Sequence, residues 1–358
     1  MKYLAKLASV GLAVLLSFGL AYSASADKLK VGFIYIGPPG DHGWTYAHDQ
    51  GRLMIDNMLG DHVETTFVEG VPEGPDAARA IAKLAETGHK LIFTTSFGYM
   101  EPTLKVAKRF PDVHFEHATG YQRIDNVSTY SARFYEGRYV QGVIAGKISK
   151  SGVIGYIASF PIPEVVRGIN AFMLGAQSVN PDMKVKVVWV YTWFDPPKEA
   201  DAAKVLMDQG ADIITQHTDS TAALQAAAER GIHAFGQASD MIQFAPDTQL
   251  TAIIDDWGPY YVKRTADVLM GTWSSGDTWD GMAPGMVTMA PFTNMPTDVA
   301  TLARETMESI RSGAFHPFTG PISNQAGEEV VAAGAVADDG MLAGMNFYVQ
   351  GIDDKLPE

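Results

Sequence analysis

The chain of 358 residues contains no cysteine. That absence excludes disulfides, thiolate nucleophiles, cysteine metal sites and a lipid-bearing cysteine at a processed N-terminus. Long apolar runs are scarce too. The one conspicuous run, Leu7 to Leu20, follows Lys2 and Lys6 and precedes Ala24-Ser25-Ala26. It is short for a membrane span, and its small-residue ending fits a signal-peptidase cut, so residues 1–26 read as a signal peptide with Asp27 as the mature start. Positive charge is in deficit: 27 Lys and Arg face 41 Asp and Glu, a formal net charge of −14 that deepens once Lys2 and Lys6 are removed. Such an acidic surface argues against nucleic acid and anionic lipid as partners. Catalytic signatures are also missing, with no Gly-x-x-x-x-Gly-Lys-Ser/Thr loop, no Gly-x-Ser-x-Gly elbow and no Gly-x-Gly-x-x-Gly after the first strand. The expectation is an exported, soluble periplasmic protein that is not a lipoprotein, not an enzyme, monomeric, and without metal or cofactor.

What the chain does contain is alternation. Apolar β-branched runs recur between helix-period segments, the pattern of βαβ units and parallel sheets, hence an α/β fold. Strands are expected at Lys30 to Ile36, His62 to Val68, Lys90 to Thr95, Val113 to His117, Gly152 to Ala158, Val185 to Tyr191, Asp212 to Gln216, His233 to Phe235 and Leu250 to Ile254. Asp76 to Thr87 carries Ala77, Ile81, Leu84 and Ala85 on one helical face. In Asp195-Pro196-Pro197, Asp195 suits a helix N-cap and Pro196 the first helical position. The remaining length exceeds one ordinary domain of roughly 100 to 200 residues, so two are expected.

Three turns carry chemistry. Between the first strand and its helix lie Asp41 and Trp44, a carboxylate and a broad aromatic face at the carboxyl end of a strand, where open α/β sheets bind ligands. Leu91 to Gly98 and Ile213 to Ser220 each run from an apolar strand into a polar turn, and would border one cleft if the two halves face each other. Ser96, Phe97, His217, Thr218 and Asp219 lie in these turns. Each has a plainer role: acids such as Asp41, Asp219 and Asp195 cap helices, Phe97 can be buried under its helix, and tryptophans pack cores. His42, His48 and Asp49 have metal-ligand chemistry, but positions six apart on a helix diverge and no third ligand accompanies them.

Arg133-Phe-Tyr-Glu-Gly-Arg-Tyr-Val-Gln-Gly-Val-Ile-Ala-Gly146 and Phe160-Pro-Ile-Pro-Glu-Val-Val-Arg-Gly-Ile-Asn-Ala-Phe-Met-Leu-Gly175 resemble hallmark segments of the basic membrane protein family, ABC-transporter substrate-binding proteins similar to a purine nucleoside receptor. The likeness extends through Trp193-Phe-Asp-Pro, Gln216-His-Thr-Asp-Ser-Thr221 and Gly236-Gln-Ala-Ser-Asp240. It implies a type I periplasmic-binding fold, two Rossmann-like lobes joined by three crossings, with a ligand cleft between them and an inner-membrane ABC permease as partner. Lobe 1 is expected at residues 27–146 plus about 255–282, and lobe 2 at 147–254 plus about 283–358. The resemblance implies that Trp44 stacks on the ligand ring, that Trp193 is its partner from the second lobe, and that Asp240 contacts the ligand. At Asp255, where nucleoside-binding relatives tend to have a lysine near the sugar hydroxyls, the chain departs from the pattern. This favours a free purine base of the adenine, hypoxanthine or guanine type over a nucleoside. A purine nucleoside receptor and an exported nucleoside hydrolase using Asp41 and Asp240 are the alternatives.

Overall fold

The computed structural model describes residues 27–357, so the expected signal peptide lies outside the described residues. The first five strands, β1 (Leu29–Ile34), β2 (Val63–Val68), β3 (Leu91–Thr94), β4 (His114–Ala118) and β5 (Val127–Ala132), alternate with helices α1 (Trp44–Leu59), α2 (Pro75–Glu86) and α3 (Met100–Ala107). The chain then crosses over and repeats the scheme. Helices α4 (Phe134–Ile148) and α5 (Pro163–Gln177) flank β6 (Val153–Ala158), and β7 (Lys184–Trp189), α6 (Pro196–Asp208), β8 (Ile213–Gln216), α7 (Ala222–Glu229), β9 (His233–Gly236) and β10 (Gln249–Asp255) follow. Helix α8 (Gly258–Leu269) returns to pack on α1. Strands β11 (Asp277–Asp280) and β12 (Val287–Met289) then close one edge of each sheet, and α9 (Thr297–Arg311) covers α4.

The result is two six-stranded sheets, in the orders β11-β5-β4-β3-β1-β2 and β12-β10-β9-β8-β6-β7. The pairings are parallel except that β12 runs antiparallel to β10. Strands such as β3 and β6 are apolar and almost wholly buried, as sheets covered on both faces require. Three crossings join the halves, after Ala132, after Asp255 and between Asp280 and Val287. This is the two-lobed α/β architecture.

All nine expected strands are present within two residues of their expected ends, and Asp195 caps α6 by accepting a hydrogen bond from the Lys198 amide at 3.2 Å. Strand β5 was not expected, because Val127-Ser-Thr-Tyr-Ser-Ala132 reads as polar. Its hydroxyls are used inside the sheet: Ser128 accepts from Arg264 at 2.8 Å, and Thr129 donates to Asp277 at 2.6 Å. The first crossing falls ahead of α4 rather than at residue 146, because α4 packs on α5 and α9 and is buried on nearly every side. Two glycines of the family-like segments permit this contact. Gly142 rests against the Phe172 carbonyl and Gly175 against the Tyr139 carbonyl, so a side chain at either position would force the helices apart.

Candidate ligand-binding site

Between the lobes lies a narrow cavity. Its walls are the carboxyl ends of strands and the starts of helices from both sheets, where backbone amides are unpaired and ligands are usually held. The first lobe supplies Ile36 and Trp44 after β1, Ser96 and Phe97 after β3, and Thr119 after β4. The second supplies Phe134 and Glu164 at the starts of α4 and α5, Trp193 after β7, His217 and Asp219 after β8, and Gln237 after β9. A wider chamber opens beside it, sharing Phe97, Thr119 and Glu164 and adding Tyr121, Arg167 and Trp279.

Trp44 opens α1 and is half-buried. Its indole N–H donates to the Thr95 carbonyl, and its ring meets Trp257 edge-on at 5.6 Å and Phe134 at 6.0 Å. Trp193 leans on Phe160 with centroids 5.1 Å apart. The two expected plates therefore reach the cavity from opposite lobes. The turns after β3 and β8 meet there as well, bringing Ser96, Phe97, His217 and Asp219 together.

Four expected site residues do not line the cavity. Asp41 is buried beneath it, where its carboxylate accepts from the Gly43, Tyr46 and Thr45 amides at 2.8, 3.0 and 3.2 Å and so caps α1. Burial pushes its carboxyl up to about 6, against the pull of those amides. Asp240 is folded into its own turn, accepting from the Ile242 amide at 3.1 Å and the Gln249 side chain at 2.7 Å. Thr218 is fully buried, and its carbonyl accepts from the Gln216 side chain at 2.9 Å. Asp255 ends β10 at the second crossing with 3% exposure, and neither carboxyl oxygen has a partner among the described residues. Burial raises its carboxyl well above the usual range, and Arg138 offsets this in part.

Electrostatically the site is acidic. Asp219 is raised well above the ordinary carboxylate range by burial first, then by Asp41, Glu199, Asp255 and Glu164. His217 is held below its ordinary value by burial, against the attraction of Glu164 3.5 Å away. Beneath them lies Arg138, fully buried, donating to Thr215 at 3.2 Å, to Gln141 at 3.3 Å and to the side-chain oxygen of Gln237. Its charge opposes the carboxyls around it. His48 and Asp49 are engaged structurally, His48 with the Tyr261 hydroxyl and Asp49 with Tyr35 and Arg52. No group of three or more His, Cys, Asp or Glu that would suit a metal ion converges among the described residues.

The sequence reading did not single out Ile36, Thr119, Phe134, Glu164 or Gln237. All five obey the same strand-end or helix-start rule that found Trp44, and three of them lie inside the family-like segments.

The lobes touch directly around the loop before α1. The Ser239 hydroxyl donates to the His42 carbonyl, the His42 ring meets Phe244 at 4.7 Å, and Gly43 lies against the Asp219 carbonyl with no space for a methyl group. Gly43→Ala is therefore expected to prop the lobes apart. Overpacking costs about 1–3 kcal/mol, so ligand affinity in calorimetry should fall roughly tenfold. The ligand-free melting temperature should change little, since only the closed form is penalised.

Residues 28–311 match the family described as ABC transporter substrate-binding protein, PnrA-like. The chain is 68% identical to a purine-binding protein of Brucella abortus (strain 2308), over 97% of this chain and 99% of that one. It is 36% identical to a putative ABC transporter glucose-binding protein of Haloferax volcanii, over 93% and 83% of the two chains. Among solved structures, a solute-binding protein of an ABC transporter system from Aeropyrum pernix K1 aligns with a TM-score of 0.69 at 20% identity, over 83% of this chain and 93% of that one, a likeness of fold alone.

Proposed function

Since the chain belongs to the PnrA-like ABC transporter substrate-binding proteins, we propose that it captures a free purine base between its lobes in the periplasm and presents the closed form to an inner-membrane permease. The observation that carries this reading is the pair Trp44 and Trp193, one from each lobe, facing one narrow cavity whose rim holds Asp219, Glu164 and Gln237. A purine offers a broad π face to such plates and an edge of N–H donors and ring-nitrogen acceptors to the rim. The binding named for the Brucella relative points the same way.

Capture needs no covalent step. A ligand that contacts both lobes only when they are closed shifts the population toward closure by its differential affinity. The test is calorimetry of the purified protein against purine bases, their ribonucleosides and glucose. A base is expected to bind more tightly than its ribonucleoside and to raise the melting temperature. The reverse order would restore the nucleoside reading, and glucose binding alone would replace the purine. Adenosine or inosine left with the protein should be recovered unchanged, because the family is one of binding proteins; free base accumulating would favour the hydrolase.

A further inference from the structure

The two lobes hold their binding turns by the same device. In the first sheet β2, β1 and β3 stand in the order that β7, β6 and β8 take in the second, and the helices that follow the two edge strands, α2 and α6, both begin on proline. From each of these connections one glutamate reaches across to the turn after β3 or β8, where the cavity residues lie. Glu73, just before α2, accepts through Oε1 from the Ser96 hydroxyl at 2.6 Å and from the Gly98 amide at 3.0 Å, so its two bonds straddle Phe97. Gly98 has no room for a methyl group beside that carboxylate. Glu199, in the first turn of α6 and fully buried, spends both oxygens. Oε1 accepts from the Asp195 amide at 2.9 Å, and Oε2 accepts from the Ser220 amide at 3.1 Å and the Ser220 hydroxyl at 2.7 Å. Between these anchors the Asp219 amide donates to the Trp193 carbonyl at 3.0 Å, which laces the two turns together.

Helix capping accounts for only part of this. Asp195 caps α6, and Oε1 of Glu199 returns a bond to the Asp195 amide. Oε2 serves a turn outside the helix, and both partners of Glu73 lie outside α2. A side chain that must be immobilised when a ligand arrives costs affinity, and one already held does not. We infer that Glu199 and Glu73 are the positioning residues of the site: Glu199 sets Trp193 and Asp219 in one fixed relation, and Glu73 does the same for Ser96 and Phe97. Neither glutamate lines the cavity. The inference rests on capture of a ligand between the lobes and adds which residues behind the walls prepare it.

The experiment combines calorimetry with adenine and hydrogen exchange of the ligand-free protein, on the whole mature chain and its variants Glu199→Gln, Glu73→Ala and Glu73→Gln. The oxygens in use set the expectations. Glu199 needs both as acceptors, which an amide side chain does not offer, so Glu199→Gln should bind adenine about tenfold more weakly. Its amide exchange should quicken about tenfold in segments 191–196 and 218–221 and not elsewhere. Glu73 uses Oε1 alone, so Glu73→Ala should bind about threefold more weakly and quicken exchange at 96–98, whereas Glu73→Gln keeps an acceptor there and should restore both. If Glu199→Gln does not fold, Ser220→Ala withdraws one of the same bonds and should quicken exchange at 218–221 with a smaller loss of affinity. Unchanged affinity in the folded variants would overturn the inference. Exchange quickened along the whole chain would overturn it as well, assigning the glutamates to general stability, and Glu73→Gln losing as much as Glu73→Ala would remove Glu73. Wild-type protein that binds no adenine would sink the purine reading alone, with the local exchange pattern still deciding for or against the two glutamates.

Discussion

Trp44→Ala is expected to weaken ligand binding by about 2–3 kcal/mol, or roughly 30- to 150-fold, with the protein still folded. The ring is the face that the first lobe offers to the cavity, and its removal leaves one side of a planar ligand against solvent or a void. Folding should survive because the start of α1 is secured by Asp41, through three backbone amides, and not by the indole. Trp44→Phe separates the two contributions of the residue. It keeps an aromatic platform but drops the hydrogen bond to the Thr95 carbonyl, so its loss should be much smaller. Calorimetry with adenine, paired with a melting curve for each variant, reads both quantities. Unchanged affinity in Trp44→Ala would remove this residue from the site.

The second large effect concerns stability. Arg138→Met keeps the length of the side chain but withdraws the positive charge set beneath the cavity and frees the Gln237 amide it holds. Breaking a buried charge arrangement by removing one side costs about 3–5 kcal/mol, which should appear as a lower urea midpoint. The pH dependence distinguishes this cause from simple loss of packing. Asp255 is raised by burial and lowered by Arg138, so in the folded variant its carboxyl should lie higher still. A folded-state value above the unfolded one means that stability is fully present below the unfolded value, near 3.9, and is lost as pH rises toward the folded one. The deficit of the variant should therefore grow as pH rises past the wild-type folded value of Asp255. A deficit that stays constant throughout the alkaline limb of the stability curve would assign the loss to packing. Asp41, raised to about 6, contributes a loss of the same sign in both proteins, concentrated below that pH.

The alternation of strands and helices was legible because buried parallel strands must be apolar along their whole length, and the two-lobe division followed from length and the family-like segments. Strand β5 was not legible, since its Ser128 and Thr129 satisfy their hydroxyls through residues about 130 to 150 positions away. The site was read in part for an equally local reason. Trp44, Ser96, Phe97, Trp193, His217 and Asp219 all follow apolar strands closely, so their place at a sheet end was implied by neighbours in sequence. Asp240 met the same rule but is consumed by its own turn, and nothing in a linear reading tells an acid that faces a cavity from one that accepts from an amide two residues on. Gln237, three positions earlier, was passed over because an amide has no charge to draw notice. Its value comes from Arg138, which lies 99 residues away in sequence.

The indole of Trp44 leans on Phe134 and Trp257, and these two residues lie beside the first and second crossings between the lobes. Rotation of one lobe against the other must therefore alter the surroundings of two of the six tryptophans in the chain at the moment a guest arrives on one of them. The protein carries its own optical reporter: intrinsic fluorescence should follow capture without any attached dye.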